Sequence, residues 1–199
     1  MKISKIEKIK TISNRYDIEV EDNHNFFANE ILVHNSSLYK DYFHARSLDG
    51  NNHWTQNWLK RFHAGFSFDI PQGWRICGEN LFALHSIGYE NLDTYFFCFS
   101  IWTDKNVCLS VDETLEYCDL FGIQYVPILY RGIYDEEKIK AISLDITKQE
   151  GYVIRKSRSF DYGEFSKCVA KFVRKNHVQN TVHNWKCGKI EQNKLRGMK

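Results

Sequence analysis

The pattern of hydrophobic and polar positions changes near residue 36. Before it, YDIEV at residues 16–20 and ILV at residues 31–33 predict two short strands, separated by a segment that begins with the polar turn EDNHN. After it, longer apolar runs rich in aromatic and β-branched residues predict a sheet. These runs are WRICGENL, TYFFCFSIW, YVPILY, GYVIR and KCVAKFV. The pattern therefore predicts a small all-β element followed by a larger domain built on strands.

Helices are predicted between these strands. An aromatic residue at every fourth position predicts an amphipathic helix over about residues 54–64. Ser110 and Glu113 form a capping box that opens a second helix, which Gly122 can close. Residues 135–147 are a third helical candidate. The fold class predicted for the larger domain is therefore α+β, with mainly antiparallel sheets.

Composition sets few further limits. The 199 residues are 43% hydrophobic and 15% aromatic, which is enough for a sizeable core. The net charge of +2 does not by itself indicate a nucleic-acid partner. The N-terminal residues MKISKIEKIK contain no apolar signal region, and no run approaches the length of a membrane span. We expect a cytoplasmic protein without membrane contact.

The cysteines are spread singly through apolar stretches, without a CxxC pair. They are Cys77, Cys98, Cys108, Cys118, Cys168 and Cys187. We interpret them as reduced core thiols of a cytoplasmic protein. The alternative is a zinc site formed by His177, His183 and Cys187, although the spacing of these residues is loose for a metal site.

The tripeptide at residues 34–36 has the chemistry of self-cleavage. An asparagine can attack its own backbone carbonyl through its side-chain amide, and a neighbouring histidine can protonate the leaving nitrogen. A hydroxyl at the next position can first accept an acyl group, which turns cleavage into ligation. His34, Asn35 and Ser36 stand in this order, and Asp17 and His24 lie upstream.

The joint pattern YDIEV, DNHNFFAN and ILVHN followed by serine resembles, in order, the two C-terminal conserved blocks of inteins. The resemblance implies that Asn35 cyclises with help from His34, and that Ser36 is the first extein residue and the branch-forming nucleophile. It implies that His24 is a general acid or base. Asp17 matches the acidic position of the same block.

One position departs from this pattern: Glu30 stands where many inteins have glycine. The N-terminal intein blocks have no match in the fifteen residues that precede residue 16. We therefore expect a split intein, whose complementary fragment lies on a partner chain. The predicted domains are residues 1–35, an intein C-terminal fragment, and residues 36–199, a catalytic domain. The isolated fragment is expected to be poorly ordered.

Residues 36–199 offer the groups that covalent nucleotidyl transfer needs. Such chemistry uses carboxylates for metal and ribose, cations for phosphates and an aromatic face for the base. The stretches HARS, RICGEN, YFFCFSIW, EGYVIR and VAKFVRKNH provide these groups in sequence order. From about Tyr39 onward they resemble the RNA ligase family of the covalent nucleotidyltransferase superfamily. The resemblance implies a nucleotidyltransferase-like (ATP-grasp-like) domain that uses ATP, Mg²⁺ or Mn²⁺, and RNA.

The resemblance also implies roles for individual residues. Glu79 would contact ribose or organise the metal, and Glu150 would bind metal and ribose. Arg46 would orient phosphates, and Lys171 would bind the α-phosphate. Phe96 would stack on adenine, a role that Phe97 or Phe99 could hold instead. Position 173, where the family has a second lysine, is valine, and Arg174 or Lys175 is the candidate substitute.

The nucleophile motif of the family, K-x-D/H-G, does not occur in these residues. The closest imitation, SLDG, begins with Ser47, which cannot form a phosphoramidate. We therefore expect the partner chain to carry the motif, so that trans-splicing activates an ATP-dependent RNA ligase that forms a lysyl-AMP intermediate. The alternatives are a nucleotide- or RNA-binding module without catalysis, and a DNA ligase or capping-type nucleotidyltransferase.

Overall fold

The structure is a computed structural model. It describes residues 3–9, 15–20, 27–28, 31–32, 36–44, 54–84, 87–145, 147–149, 151–173 and 191–198.

Two short antiparallel pairs precede residue 36. Strand β1 (Ile3–Ile9) pairs with β2 (Arg15–Val20), and β3 (Phe27–Ala28) pairs with β4 (Ile31–Leu32). The two strands predicted before residue 36 are therefore confirmed as β2 and β4.

A seven-stranded sheet forms the centre of the larger domain. Its members are β5 (Ser36–Leu38), β6 (Phe43–His44), β7 (Arg75–Asn80), β8 (Phe96–Trp102), β9 (Val107–Cys108), β10 (Gln124–Tyr125) and β12 (Phe160–Asp161). The strand order is β12-β9-β8-β7-β5-β6, and β10 pairs with β8. All pairings are antiparallel except that of β10 with β8, which confirms the predicted α+β class with a mainly antiparallel sheet.

The helical predictions are confirmed where local signals define the ends. A 3-10 turn over Trp54–Gln56 leads into α1 (Asn57–Ala64). Helix α2 (Val111–Phe121) starts at the predicted capping box, in which the Ser110 hydroxyl accepts a hydrogen bond from the Glu113 amide and the Glu113 carboxylate accepts one from the Ser110 amide. Gly122 ends this helix at a positive φ of 65°.

Two predicted elements are shorter than expected. Helix α3 (Glu136–Lys140) ends well before residue 147. Of the run YVPILY only its first residue lies in a strand, because β10 consists of Gln124 and Tyr125 alone. The Val126 amide still donates a hydrogen bond to the Cys98 carbonyl at 2.8 Å, and the pairing with β8 ends there.

The sheet has two faces with different coverings. On the helix face, Leu38, Ile76 and Phe96 are buried in a cluster that also contains side chains of α1 and α2. The opposite face carries Cys77 and Trp102, which belong to a second buried cluster. We call this opposite side the hairpin face.

A separate two-stranded antiparallel sheet packs on the hairpin face together with a short helix; we call it the β11–β13 hairpin, although β12 and α4 lie between its strands in the sequence. Strand β11 (Gly151–Arg155) pairs with β13 (Val169–Val173), and α4 (Phe165–Cys168) directly precedes β13. Cys168 and Val169 contact the cluster formed with Cys77 and Trp102. The strands predicted from GYVIR and KCVAKFV are confirmed, except that the second run begins as a helix.

Within the described parts of the chain, no helix combines the length and the apolar character that a membrane crossing requires.

Candidate active site

A carboxylate and an aromatic ring lie opposite each other on the hairpin face. Glu79 in β7 pairs in register with Phe97 in β8, and both side chains are half-buried. Side chains alternate between the faces of a strand, so Glu79 shares the face of Cys77 two residues earlier. The sheet thereby brings together two of the residues that the sequence singled out.

Phe96 lies on the other side of the sheet. Its side chain is 0% exposed and belongs to the core cluster with α1, where its ring centroid is 5.8 Å from that of Phe62. This burial leaves no ring face for a base, so Phe96 is a core residue and not the stacking platform that we expected. Phe97, which was named as an alternative, has the exposure that such a role requires.

Another predicted site residue, Lys171, is on the β11–β13 hairpin. Lys171 pairs with Val153 and is exposed. By strand alternation it shares a face with Val169, which packs against the cluster on the hairpin face of the sheet. Lys171 therefore lies on the same face of the hairpin as Val169, at a position where its partner Val153 is 53% exposed.

Arg155 attaches the β11–β13 hairpin to the sheet. Its guanidinium donates hydrogen bonds to the backbone carbonyl of Phe99 at 3.2 Å and to that of Leu109 at 2.7 Å. It also lies 5.6 Å from the centroid of the Phe160 ring. These contacts join the end of β11 to three segments of the main domain.

A bulge explains why Phe99 can accept this bond. Cys77 pairs with Ser100 and Gly78 with Cys98, so Phe99 is an extra residue in β8. Its carbonyl also accepts a hydrogen bond from the Tyr125 hydroxyl at 3.4 Å. The bulge thus provides an acceptor that the regular pairing with β7 does not use.

The proposed splice junction coincides with the start of an internal strand. Ser36 is the first residue of β5, is 3% exposed and pairs with Gly78 in β7. Its neighbour Ser37 shares a hydrogen bond with the thiol of Cys77, with 3.7 Å between Oγ and Sγ. The residue before Ser36 would lie opposite Glu79 if the strand continued in the same register.

Burial keeps the thiols near this site protonated. It raises the pKa of Cys77, and the nearby Arg75 guanidinium opposes this shift only in part. It raises the pKa of Cys108 to about 11, against a smaller opposing effect of Arg155. The five cysteines that the structure describes are all buried and free, which agrees with the interpretation as core thiols.

Several predicted site residues lie outside the described residues. They are His24, His34, Asn35, Arg46, Glu150, Arg174 and Lys175, together with the alternative zinc ligands His177, His183 and Cys187. Asp17 is described only through its backbone, as the partner of Glu7 in the β1–β2 pair. Among the described residues no three His, Cys, Asp or Glu side chains form a group that could hold a metal ion.

The attachment made by Arg155 was not predicted from the sequence. A signal was present, because EGYVIR ends a largely apolar strand with an arginine. A guanidinium buried at that position needs hydrogen-bond acceptors. The acceptors could not be predicted, since one of them depends on a bulge in a strand more than fifty residues away.

The mainly antiparallel sheet, with α1 and α2 packed on one face, places the chain in the class of α+β proteins. Its other face carries the carboxylate and the aromatic ring of the candidate site. Residues 8–173 match the RNA ligase family, and the chain belongs to that family. No curated protein and no solved structure matches the chain. The matched range includes residues 8–35, and the domain boundary before residue 36 stays a prediction.

Proposed function

We propose that this chain is the C-terminal half of an ATP-dependent RNA ligase that is completed by protein trans-splicing between Asn35 and Ser36. The position of Ser36 carries the proposal. Because Ser36 pairs with Gly78, a segment joined to Ser36 in the register of β5 would run along β7, and its last residue would lie opposite Glu79. A K-x-D-G motif joined there would enter the domain beside the carboxylate and ring of the candidate site.

In the proposed splicing reaction, the Ser36 hydroxyl oxygen attacks the ester or thioester carbonyl at the N-terminal junction and displaces the first residue of the intein. The Asn35 amide nitrogen then attacks its own backbone carbonyl, and the bond to Ser36 breaks. His34 protonates the leaving nitrogen, and His24 acts as general acid or base. The ester on Ser36 finally shifts to the freed amine and becomes a peptide bond.

The burial of Ser36 adds a condition to this reaction. A hydroxyl that is 3% exposed in an internal strand cannot reach an acyl group on another segment. The start of β5 must therefore leave the sheet while the ester forms, and it returns after the junction is sealed. Splicing in this proposal requires a transient opening of the sheet at β5.

In the ligase reaction, the incoming lysine attacks the α-phosphate of ATP and releases pyrophosphate. Phe97 replaces Phe96 as our candidate for stacking on adenine. Lys171 and Arg46 contact phosphates, Arg174 or Lys175 contributes a further cation, and Glu79 and Glu150 bind ribose and a divalent ion. Carboxylate oxygens suit Mg²⁺, which usually keeps water and substrate phosphates as its other ligands.

The splicing step is tested by mixing the chain with a partner that carries the N-terminal intein fragment and the K-x-D-G segment. We expect a spliced product and a released intein fragment on a denaturing gel, with masses that confirm the junction. Asn35→Ala should abolish the spliced product, whereas Asn57→Ala, at an exposed position in α1, should leave it unchanged. Full splicing by Asn35→Ala would refute this part of the proposal.

The ligase step is tested by incubating purified spliced product with ATP labelled at the α-phosphate. We expect covalent label that resists denaturation, and at least about tenfold less label with Lys171→Ala, because a charge on the α-phosphate is lost. Lys167→Ala in α4 is the matched control for an exposed lysine. Absence of label on the unmutated spliced product contradicts the ligase proposal.

A binding module without catalysis is the second candidate, because K-x-D/H-G does not occur in these residues. It predicts nucleotide or RNA binding without covalent label. Sealing assays on nicked RNA and nicked DNA duplexes separate an RNA ligase from a DNA ligase.

A further inference from the structure

Three aromatic rings lie together on the hairpin formed by β5 and β6. Tyr39 and Tyr42 are stacked with ring centroids 4.5 Å apart and planes 14° apart. His44 lies beside this pair, tilted by 34° to Tyr39, with its centroid 5.7 Å from that of Tyr39 and 6.4 Å from that of Tyr42. Tyr42 is 54% exposed. We call these three residues the aromatic stack.

Hydrogen bonds of the Tyr39 backbone hold the aromatic stack in place. The Tyr39 amide donates a hydrogen bond to the Tyr42 carbonyl at 2.8 Å, which closes the turn. The Tyr39 carbonyl in turn contacts Nε2 of the buried His63 at 2.6 Å. Burial lowers the pKa of His63, so its ring is neutral at pH 7 and donates through Nε2. The exposed ring of Tyr42 therefore rests on a fixed backbone.

The stack lies on the same strand as the proposed junction. Tyr39 follows β5, and its register position is opposite Arg75, because Leu38 pairs with Ile76. Arg75 and Glu79 are four residues apart in β7, which is about 13 Å along a strand. The stack is thus close to the candidate site but separate from it.

The described charged side chains near the stack are two cations and one carboxylate, a small positive excess that suits a phosphate group. The Arg75 guanidinium lies 4.9 Å from the Trp102 ring centroid and close enough to Tyr39 to oppose the effect of burial, which raises the Tyr39 pKa. Lys40 lies within the turn. Asp41 is the opposing charge in this turn, and its carboxylate is 3.5 Å from the Gln72 amide.

We infer that the aromatic stack is a binding platform for an unpaired RNA base close to the end that the ligase joins. The inference rests on the proposed function, since it names a contact for the RNA substrate. Every base presents a flat π-face, so stacking on tyrosine needs no particular sequence. Phosphates on either side of the stacked base would meet Arg75 and Lys40.

The test measures binding of the full chain to a short single-stranded RNA that contains 2-aminopurine, whose fluorescence falls when the base stacks. We expect quenching on binding, with Tyr42→Ala weakening affinity roughly fivefold or more and removing the quenching. Tyr42→Phe keeps the ring and should restore both. Tyr134→Ala is the control, because Tyr134 is 67% exposed but lies far along the sequence from the stack.

The outcomes separate this inference from the proposed function. Equal affinity and quenching for Tyr42→Ala and the unmutated chain overturn the inference, as does a chain that does not bind the RNA. Labelling of the spliced product by ATP decides the ligase proposal, and Tyr42→Ala should leave that labelling unchanged. A variant that loses RNA binding but keeps labelling supports the platform.

Discussion

At the scale of single residues, Gly78 decides how close β7 and β8 can lie to the core. A Cβ at this position would meet Cζ of Phe96 at 2.3 Å and the carbonyl oxygen of Phe97 at 2.6 Å. The second contact is with backbone, which cannot move without breaking the pairing of the two strands. Glycine is therefore required at position 78 by its contacts with Phe96, which lies in the core, and Phe97, which lies at the candidate site.

We predict that Gly78→Ala lowers the free energy of unfolding by about 1–3 kcal/mol, because an overpacked position forces the backbone or Phe96 to shift. Urea denaturation of the full chain measures the change. Gly163→Ala is the matched control, since a Cβ there meets nothing within 4 Å, and its effect should stay within about 0.5 kcal/mol. Equal stability of Gly78→Ala and the unmutated chain would contradict the packing argument.

At the scale of elements, Arg155 adds hydrogen bonds to the apolar contacts that hold the β11–β13 hairpin on the sheet. Arg155 uses a carbonyl that the β8 bulge provides and a second carbonyl at Leu109. The hairpin carries Lys171, and Gly151 directly follows Glu150 in the sequence. The attachment by Arg155 thereby fixes how residues of the hairpin approach the hairpin face of the sheet.

We predict that Arg155→Lys destabilises the chain by about 1–3 kcal/mol, because a single ammonium cannot reach both carbonyls and at least one hydrogen bond is lost. Hydrogen–deuterium exchange should become faster in β11 and β13 than in β7. Arg158→Lys serves as control, since Arg158 donates only to the carbonyl of the adjacent Ser159 among its described contacts. Unchanged exchange in the hairpin would show that other contacts hold it.

The sequence predicted those elements whose signals are local. The capping box at Ser110 and the glycine at the end of α2 each act within a few residues, and both were confirmed. The extent of β10 depends on its distant partner β8, so the apolar pattern after Tyr125 overestimated it.

The same distinction holds for the candidate site. The resemblance singled out Glu79, and Phe97 only as an alternative to Phe96, and their roles stay predictions. The exclusion of Phe96 needed the face on which its ring lies. The aromatic stack of Tyr39, Tyr42 and His44 could not be predicted from sequence, because it depends on a tight turn that brings the three rings together.

At the scale of the whole molecule, a segment near the C-terminus closes over the loop that follows β7. The Asn193 side chain is 3% exposed, donates to the carbonyls of Leu81 and Ala83 at 2.8 and 3.2 Å, and accepts from the Tyr89 amide at 2.8 Å. The Asn193 carbonyl accepts a bond from the buried Tyr95 hydroxyl at 2.9 Å. This segment thereby fixes the chain that leaves Glu79.

We predict that Asn193→Ala lowers the free energy of unfolding by about 1–3 kcal/mol, because it leaves buried backbone groups without their partner. Limited proteolysis should then cut the loop between Leu81 and Tyr89 more rapidly. Asn91→Ala, an exposed asparagine of the same region, is the control and should be close to neutral. Resistance to cleavage equal to that of the unmutated chain would contradict the prediction.

The pairing of Ser36 with Gly78 has a consequence for the accuracy of any join made in front of it. Side chains alternate between the two faces of a strand. One residue gained or lost at the junction would therefore move every side chain of the incoming strand to the opposite face of the sheet. Groups meant for the nucleotide would then point into the helix-covered core. The register of the sheet would thus distinguish accurate from inaccurate joining, since only a product joined at the correct residue could work as an enzyme.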